Sequence, residues 1–259
     1  MKALVGIYLL FISTLLFAQK RTNIWMLGGD NNPSFPKIKV DFNSGSFDTS
    51  SVYHYMSFFI TNASICDTSG SILMFTNGNY IANSNYGMMQ NSFGYNPSLS
   101  ADTSYGSSGS QSALILPRPE HSDQYLIFHV NQEEFTANGQ LENQPLHLWY
   151  SLVDMNINGG LGDIVSGKKT ISIIDDTLTW GRITSCKHAN GRDWWVIMHR
   201  YYSDLYYKVL VTPDTMIVSQ QNIGRVITLD PAGMSCFDPL GDQYATVSID
   251  NNLDLLNFD

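Results

Sequence analysis

The chain has 259 residues and a formal charge of −9, and only 14% of its residues are charged. Asn, Ser, Gly and Thr fill the polar positions instead, as in turn-rich β proteins; average domains carry about 25% charged residues. A net negative chain is repelled by phosphate backbones and anionic lipid, which excludes nucleic acid as a partner, and the length suffices for one domain with a substantial core.

Lys2, the apolar run from Ala3 to Phe17 and Ala18-Gln19 have the build of a secretory signal peptide, too short to span a bilayer. The expected division is therefore a signal peptide over 1–18 and one domain over 19–259, secreted or at the cell surface. No later stretch is long and apolar enough for a transmembrane helix. Ile24-Trp25-Met26-Leu27 and Ile38-Lys39-Val40-Asp41-Phe42 read as two strands, expected to complete a blade begun at the other end of the chain.

A repeat follows. Four times a short apolar segment enters a polar turn and leaves as an aromatic or β-branched strand: Ile65-Cys66 through Gly70 to Ile72–Phe75, Leu114–Leu116 through Ser122 to Tyr125–Phe128, Ser185-Cys186 through Gly191 to Trp194–Ile197, and Ser235-Cys236 through Gly241 to Tyr244-Ala245. Turn positions 70, 122, 191 and 241 are 52, 69 and 50 residues apart. That is close to one four-stranded blade per period, so the expected fold is all-β, a β-propeller of WD40- or YVTN-like blades. The third repeat resolves into strands near 183–187, 193–199, 205–211 and 215–219. The second is lengthened by a loop around Asn158–Gly162, and the Ser- and Gly-rich stretch 96–112 before it cannot form a core and reads as a loop or mobile connector. Leu253–Phe258 reads as the third strand of the fourth repeat, where the sequence stops, so the propeller is expected to be incomplete at its C-terminal end.

Several stretches resemble the propeller regions of large secreted Bacteroidota proteins, many of them type IX secretion clients. The matching residues are Asn23-Ile24-Trp25, Asp41–Gly45, Gln111–Pro119, Val153-Asp154-Met155 with Asn158–Asp163, and Lys187–Asp193. The resemblance implies further blades downstream and says little about chemistry.

Asp154, Asn156 and Asn158 before Gly159 match the opening of a calcium loop, with Asp163 as a further carboxylate. Val165 stands where an EF-hand places its bidentate Glu, so a simple Asn-Gly turn competes with calcium as the explanation. His188, Asp193 and His199 straddle one hairpin and form a second candidate metal set, with a structural role in the turn favoured. The odd set Cys66, Cys186 and Cys236 reads as small buried residues in preference to a Cys186–Cys236 disulfide. Adjacent aromatics such as Trp194-Trp195 and Tyr206-Tyr207 are expected on opposite, buried faces, leaving Trp149 or Tyr202 as the exposed rim aromatic that carbohydrate binding needs.

No dinucleotide cradle, nucleophile elbow, zinc-protease helix or phosphate loop is present in the sequence. The expected function is a non-catalytic binding or scaffold module for an extracellular protein or glycan. The alternatives are a propeller-type polysaccharide hydrolase or lyase and a structural spacer of a long adhesin. Carboxylates converging with an exposed aromatic would favour the enzyme, and a channel of Ser, Asn and backbone the module.

Overall fold

Runs of alternating β-branched and aromatic residues, punctuated by Asp, Asn and Gly, build strands reversed by tight turns. The computed structural model describes residues 20–29, 32, 34–98, 105–137, 140–227, 233–248 and 251–259. The signal-peptide expectation for 1–18 lies outside the described residues.

A first sheet contains β1 (Ile24–Leu27), β2 (Lys37–Asp41) and β3 (Asp48–Val52), and a second contains β4 (Ala63–Cys66), β5 (Ile72–Thr76) and β6 (Ile81–Asn83). The third begins with β7 (Ala113–Pro117) and β8 (Gln124–Val130). A separate hairpin of β9 (Glu133–Ala137) and β10 (Gln140–Gln144) intervenes before β11 (His147–Asp154), which pairs with β8 and carries β12 (Asp163–Ile164) and β13 (Ile171–Asp175). The fourth is the meander β14 (Thr184–Lys187), β15 (Trp194–His199), β16 (Leu205–Val211) and β17 (Met216–Asn222). The fifth is β18 (Gly233–Phe237), β19 (Gln243–Ser248) and β20 (Asn251–Asn257). The chain is thus all-β in several small antiparallel sheets, none closed on itself.

Consecutive sheets stack face to face, and period-two alternation decides which core each residue joins. On the second sheet Cys66, Phe75 and Ala82 face the first, packing with Ile24, Met26 and Phe58. Their neighbours Ile65, Met74 and Ile81 face the third sheet, meeting Ile115, Tyr125 and Ile127. The third sheet's other face presents Leu126, Phe128 and Leu148 to Val196, Met198 and Val209 of the fourth. Ile197 and Tyr206 then face Tyr244 of the fifth. Burying each large apolar side chain stabilises the fold by about 1.5–3 kcal/mol.

The strands expected in the third repeat are found within a few residues. The first two strands differ from expectation. With β3 they form a sheet of their own beside β4, where Ser64 Oγ donates to Ile24 O at 2.8 Å and Cys66 N to Arg21 O at 2.8 Å, and they do not pair with β20. Two polar strands escaped sequence reading: β3 is Asp-Thr-Ser-Ser-Val, with no apolar alternation, and β10 is Gln-Leu-Glu-Asn-Gln.

Candidate functional site

The four repeat turns share one construction. Gly70 N donates to Asp67 O, His121 N to Arg118 O, Gly191 N to His188 O and Gly241 N to Asp238 O, so residues 67, 118, 188 and 238 occupy equivalent places. In two repeats an aspartate there also accepts the N–H two residues on: Ser69 N to Asp67 Oδ1 at 2.8 Å and Leu240 N to Asp238 Oδ2 at 3.3 Å. His188 takes the same part through its ring, Nδ1 accepting Asn190 N–H at 3.0 Å. Asp193 closes this hairpin, accepting from Arg192 Nε at 2.7 Å and Asn190 Nδ2 at 2.8 Å, and the Arg192 guanidinium foremost holds its carboxyl below the usual range.

His199 is elsewhere. It ends β15, six residues from Asp193, or about 20 Å at strand rise. There it is buried, its ring 4.3 Å from that of Tyr206 in a stacked pair, with Nε2 2.9 Å from Ser203 O. Burial, with Arg182 adding to it, pushes its pKa down to about 4. The sequence set His188, Asp193 and His199 is therefore split between the two ends of one strand. Among the described residues no three His, Cys, Asp or Glu side chains converge as a metal-binding group.

Asp154 and Asp163 are brought together as cross-strand partners of β11 and β12. Asp154 Oδ1 accepts Asn156 N at 2.8 Å and Asn156 Nδ2 at 3.1 Å, while Oδ2 accepts Gln124 Nε2 at 3.0 Å. Asp163, buried, accepts Asn91 N at 3.0 Å and Asn158 Nδ2 at 3.2 Å. Both carboxylates are thus committed to N–H donors, and a calcium ion here would require the Asn156 and Asn158 amides to turn their oxygens inward. The Asp-x-Asn opening is the same Asx turn that Asp41 makes with Asn43 N at 2.9 Å.

The aromatic expectation is met at one position and corrected at the other. Tyr202 is exposed, but Trp149 is buried, stacked on His147 at 5.0 Å and tilted against His129 at 5.6 Å. All three cysteines are free; Cys66 and Cys186 are buried as expected, whereas Cys236 is exposed, on the face of the fifth sheet that meets no other sheet among the described residues.

The stretch expected as a loop or mobile connector lies, in its described part, outside the named strands as a loop does, but it is packed inside the molecule. Its described part, 96–98 and 105–112, runs as a largely buried polar seam between the sheets. Ser107 N donates to Asn77 O at 2.9 Å; Ser110 O accepts Arg182 N at 3.0 Å; Gln111 O accepts Ile183 N at 3.2 Å. The Gln111 side chain then grips β18 as a strand would, Oε1 accepting Ser235 N at 2.7 Å and Nε2 donating to Ser235 O at 3.0 Å. Small residues are required because backbones meet here. A Cβ on Gly106 would stand 2.6 Å from Asn77 O, and one on Gly181, whose φ is +68°, only 1.5 Å from Ser110 O. Ser112 Oγ and Gln132 Nε2, flanking Gly109, are buried without a hydrogen-bond partner among the described residues. No family model, curated protein or solved structure matches the chain.

Proposed function

We propose that the protein is an exported β-propeller binding or scaffold module that recognises an extracellular protein or glycan without transforming it. The observation that carries this reading is the seam. Five antiparallel sheets stack in chain order, and the Ser-, Gly- and Gln-containing segment 105–112 hydrogen-bonds to the second, third, fourth and fifth at Asn77, Val130, Arg182 with Ile183, and Ser235, without a convergent pair of carboxylates among the described residues there. The blade reading is supported by sheets two, three and four each being buried on both faces, as blades between neighbours are. Export rests on the 1–18 segment, and the large secreted proteins that the chain resembles set the expected location. Purified protein incubated with a panel of soluble polysaccharides should retain ligand on an affinity gel and return it with unchanged length. Release of new reducing or unsaturated ends, abolished by substituting one acidic residue, would replace the module by the hydrolase or lyase.

A further inference from the structure

β17 is the free edge of the fourth sheet, and of the strands that end a sheet it is the least protected. Exposed edges are normally blunted by charge, brevity or a bulge. β3 carries Asp48, β6 has three residues, β13 pairs across a register shift and ends on Asp175, and β20 carries Asp254. β17, Met-Ile-Val-Ser-Gln-Gln-Asn, has seven residues, no charge, no proline and an unbroken register on β16. Ile217 and Val218 are 53% and 40% exposed on it.

The register fixes which backbone groups this edge offers. Thr212 N donates to Thr215 O and Ile223 N to Asp204 O, so in the alternation of an antiparallel pair Ile217, Ser219 and Gln221 bond to β16. Met216, Val218, Gln220 and Asn222 therefore aim N–H and C=O away from the sheet, where no described backbone group meets them.

Beside the edge lies a cleft of about 410 Å³ between the third and fourth sheets. Met216 and Val218 line it from the fourth sheet, and Ile171 and Ile173 of β13 from the third, with Tyr150 and Leu152 of β11. Arg118, Lys168 and Asp214 line it as well, two bases and one acid in a chain of formal charge −9. Arg118 gives its hydrogen bonds to neutral oxygens, Pro213 O at 2.7 and 3.1 Å and Gln124 Oε1 at 2.7 Å, which leaves two of its five N–H bonds for a ligand. Lys168 is exposed.

We propose that β17 accepts an extended peptide segment of a partner protein as an added antiparallel strand, with alternate apolar and acidic side chains seated in this cleft. Main-chain hydrogen bonds supply the affinity and the cleft supplies the selection. Side chains opposite one another in an antiparallel pair share a face, so peptide residues that bond to Met216 and Val218 turn their side chains into the cleft as those two do. The excess of bases there selects an acidic residue, whereas the β17 of a second copy brings no charge. Such a segment is the ligand of the binding module, and its assignment rests on that reading. The two fail separately: absent peptide affinity leaves the polysaccharide assay as it was, and new sugar ends leave peptide affinity untouched.

The test is fluorescence anisotropy of the labelled peptide Thr-Glu-Thr-Val-Thr-Val-Thr titrated with the full chain. Saturable binding is expected. N-methylation of its glutamate and valines, which blocks the bonds to β17, should weaken binding about tenfold or more; N-methylation of its threonines, whose N–H groups point away, should not. Val218→Pro removes an outward N–H and no bond to β16, so it should weaken binding about tenfold in a folded chain. Lys168→Gln should weaken it and Asp214→Asn should tighten it. No saturable binding, or equal losses from the two methylated peptides, overturns the proposal. Self-association that Val218→Pro abolishes, without peptide binding, overturns it in favour of a second copy; polysaccharide retention that Lys168→Gln weakens, without peptide binding, overturns it in favour of a glycan. Should Val218→Pro fail to fold, the two methylated peptides decide on the wild-type chain.

Discussion

In three of the four repeats this position supplies an acceptor to the N–H two residues on, His188 with a ring nitrogen and Asp67 and Asp238 with a carboxylate, while Arg118, their counterpart in the second repeat, carries none. His188→Asp should therefore keep the melting temperature, whereas His188→Leu, which lacks an acceptor, should lose about 1 kcal/mol. Equal melts for the two variants would show that the turn needs no acceptor. Three other histidines are held neutral inside the molecule: burial pushes His129 down to about 3, and His54 and His199 to about 4, from 6.5. Below pH 6.5 the unfolded chain takes up protons that the native state refuses. Stability present above pH 6.5 is thus lost progressively as pH falls toward 4, and for His129 toward 3. His129→Phe should reduce the slope of unfolding free energy against pH in that window by about one proton. An unchanged slope would mean that His129 titrates normally.

Elements follow from local pattern where the pattern has two faces to serve. β5 reads Ile-Leu-Met-Phe-Thr because Met74 and Phe75 face different neighbouring sheets, which is why a continuous apolar run is a strand here. The seam obeys another rule, the closeness of backbones. Gly181→Ala would press a methyl against Ser110 O, in a segment that also carries the Arg182 and Ile183 bonds to the seam. It should cost about 3 kcal/mol or more, or abolish folding. Gly167→Ala has a similar φ, +73°, but nothing within 4 Å, so it should cost only the left-handed strain, about 1–2 kcal/mol. Comparable losses in chemical denaturation would show that conformation alone, without the contact at Ser110, sets both.

At the scale of the molecule, the first and last sheets each pack one face against another sheet among the described residues. Trp25, Leu27 and Ile38 are exposed on the unused face of the first; Met234, Val247, Leu253 and Leu255 are exposed on that of the fifth. Contiguous apolar sheet faces of this kind drive association. The first sheet turns one face to its successor and the fifth turns one to its predecessor, so the two open faces are of complementary kind. Purified chain should accordingly self-associate with rising concentration in sedimentation velocity, and Leu253→Lys with Leu255→Lys should shift it toward monomer. A wild-type monomer at all concentrations would show these faces to be inert.

Strand identity, hairpin turns and the sorting of adjacent aromatics onto opposite faces were legible in the sequence, because a period of two and the conformational needs of Asp, Asn and Gly act within a few residues. The polar strands β3 and β10 were not, since their place comes from hydrogen bonding to a neighbour rather than from apolar alternation. Distance along the chain misled where sites were sought: His199, close to Asp193 in sequence, lies at the far end of a strand, while Arg21 and Arg192 share one cleft. The Ser- and Gly-rich segment looked like a solvent-exposed connector, and only tertiary structure showed it between sheets. A small polar residue is equally suited to water and to a crowded backbone, and which of the two surrounds it is decided by the packing of distant strands.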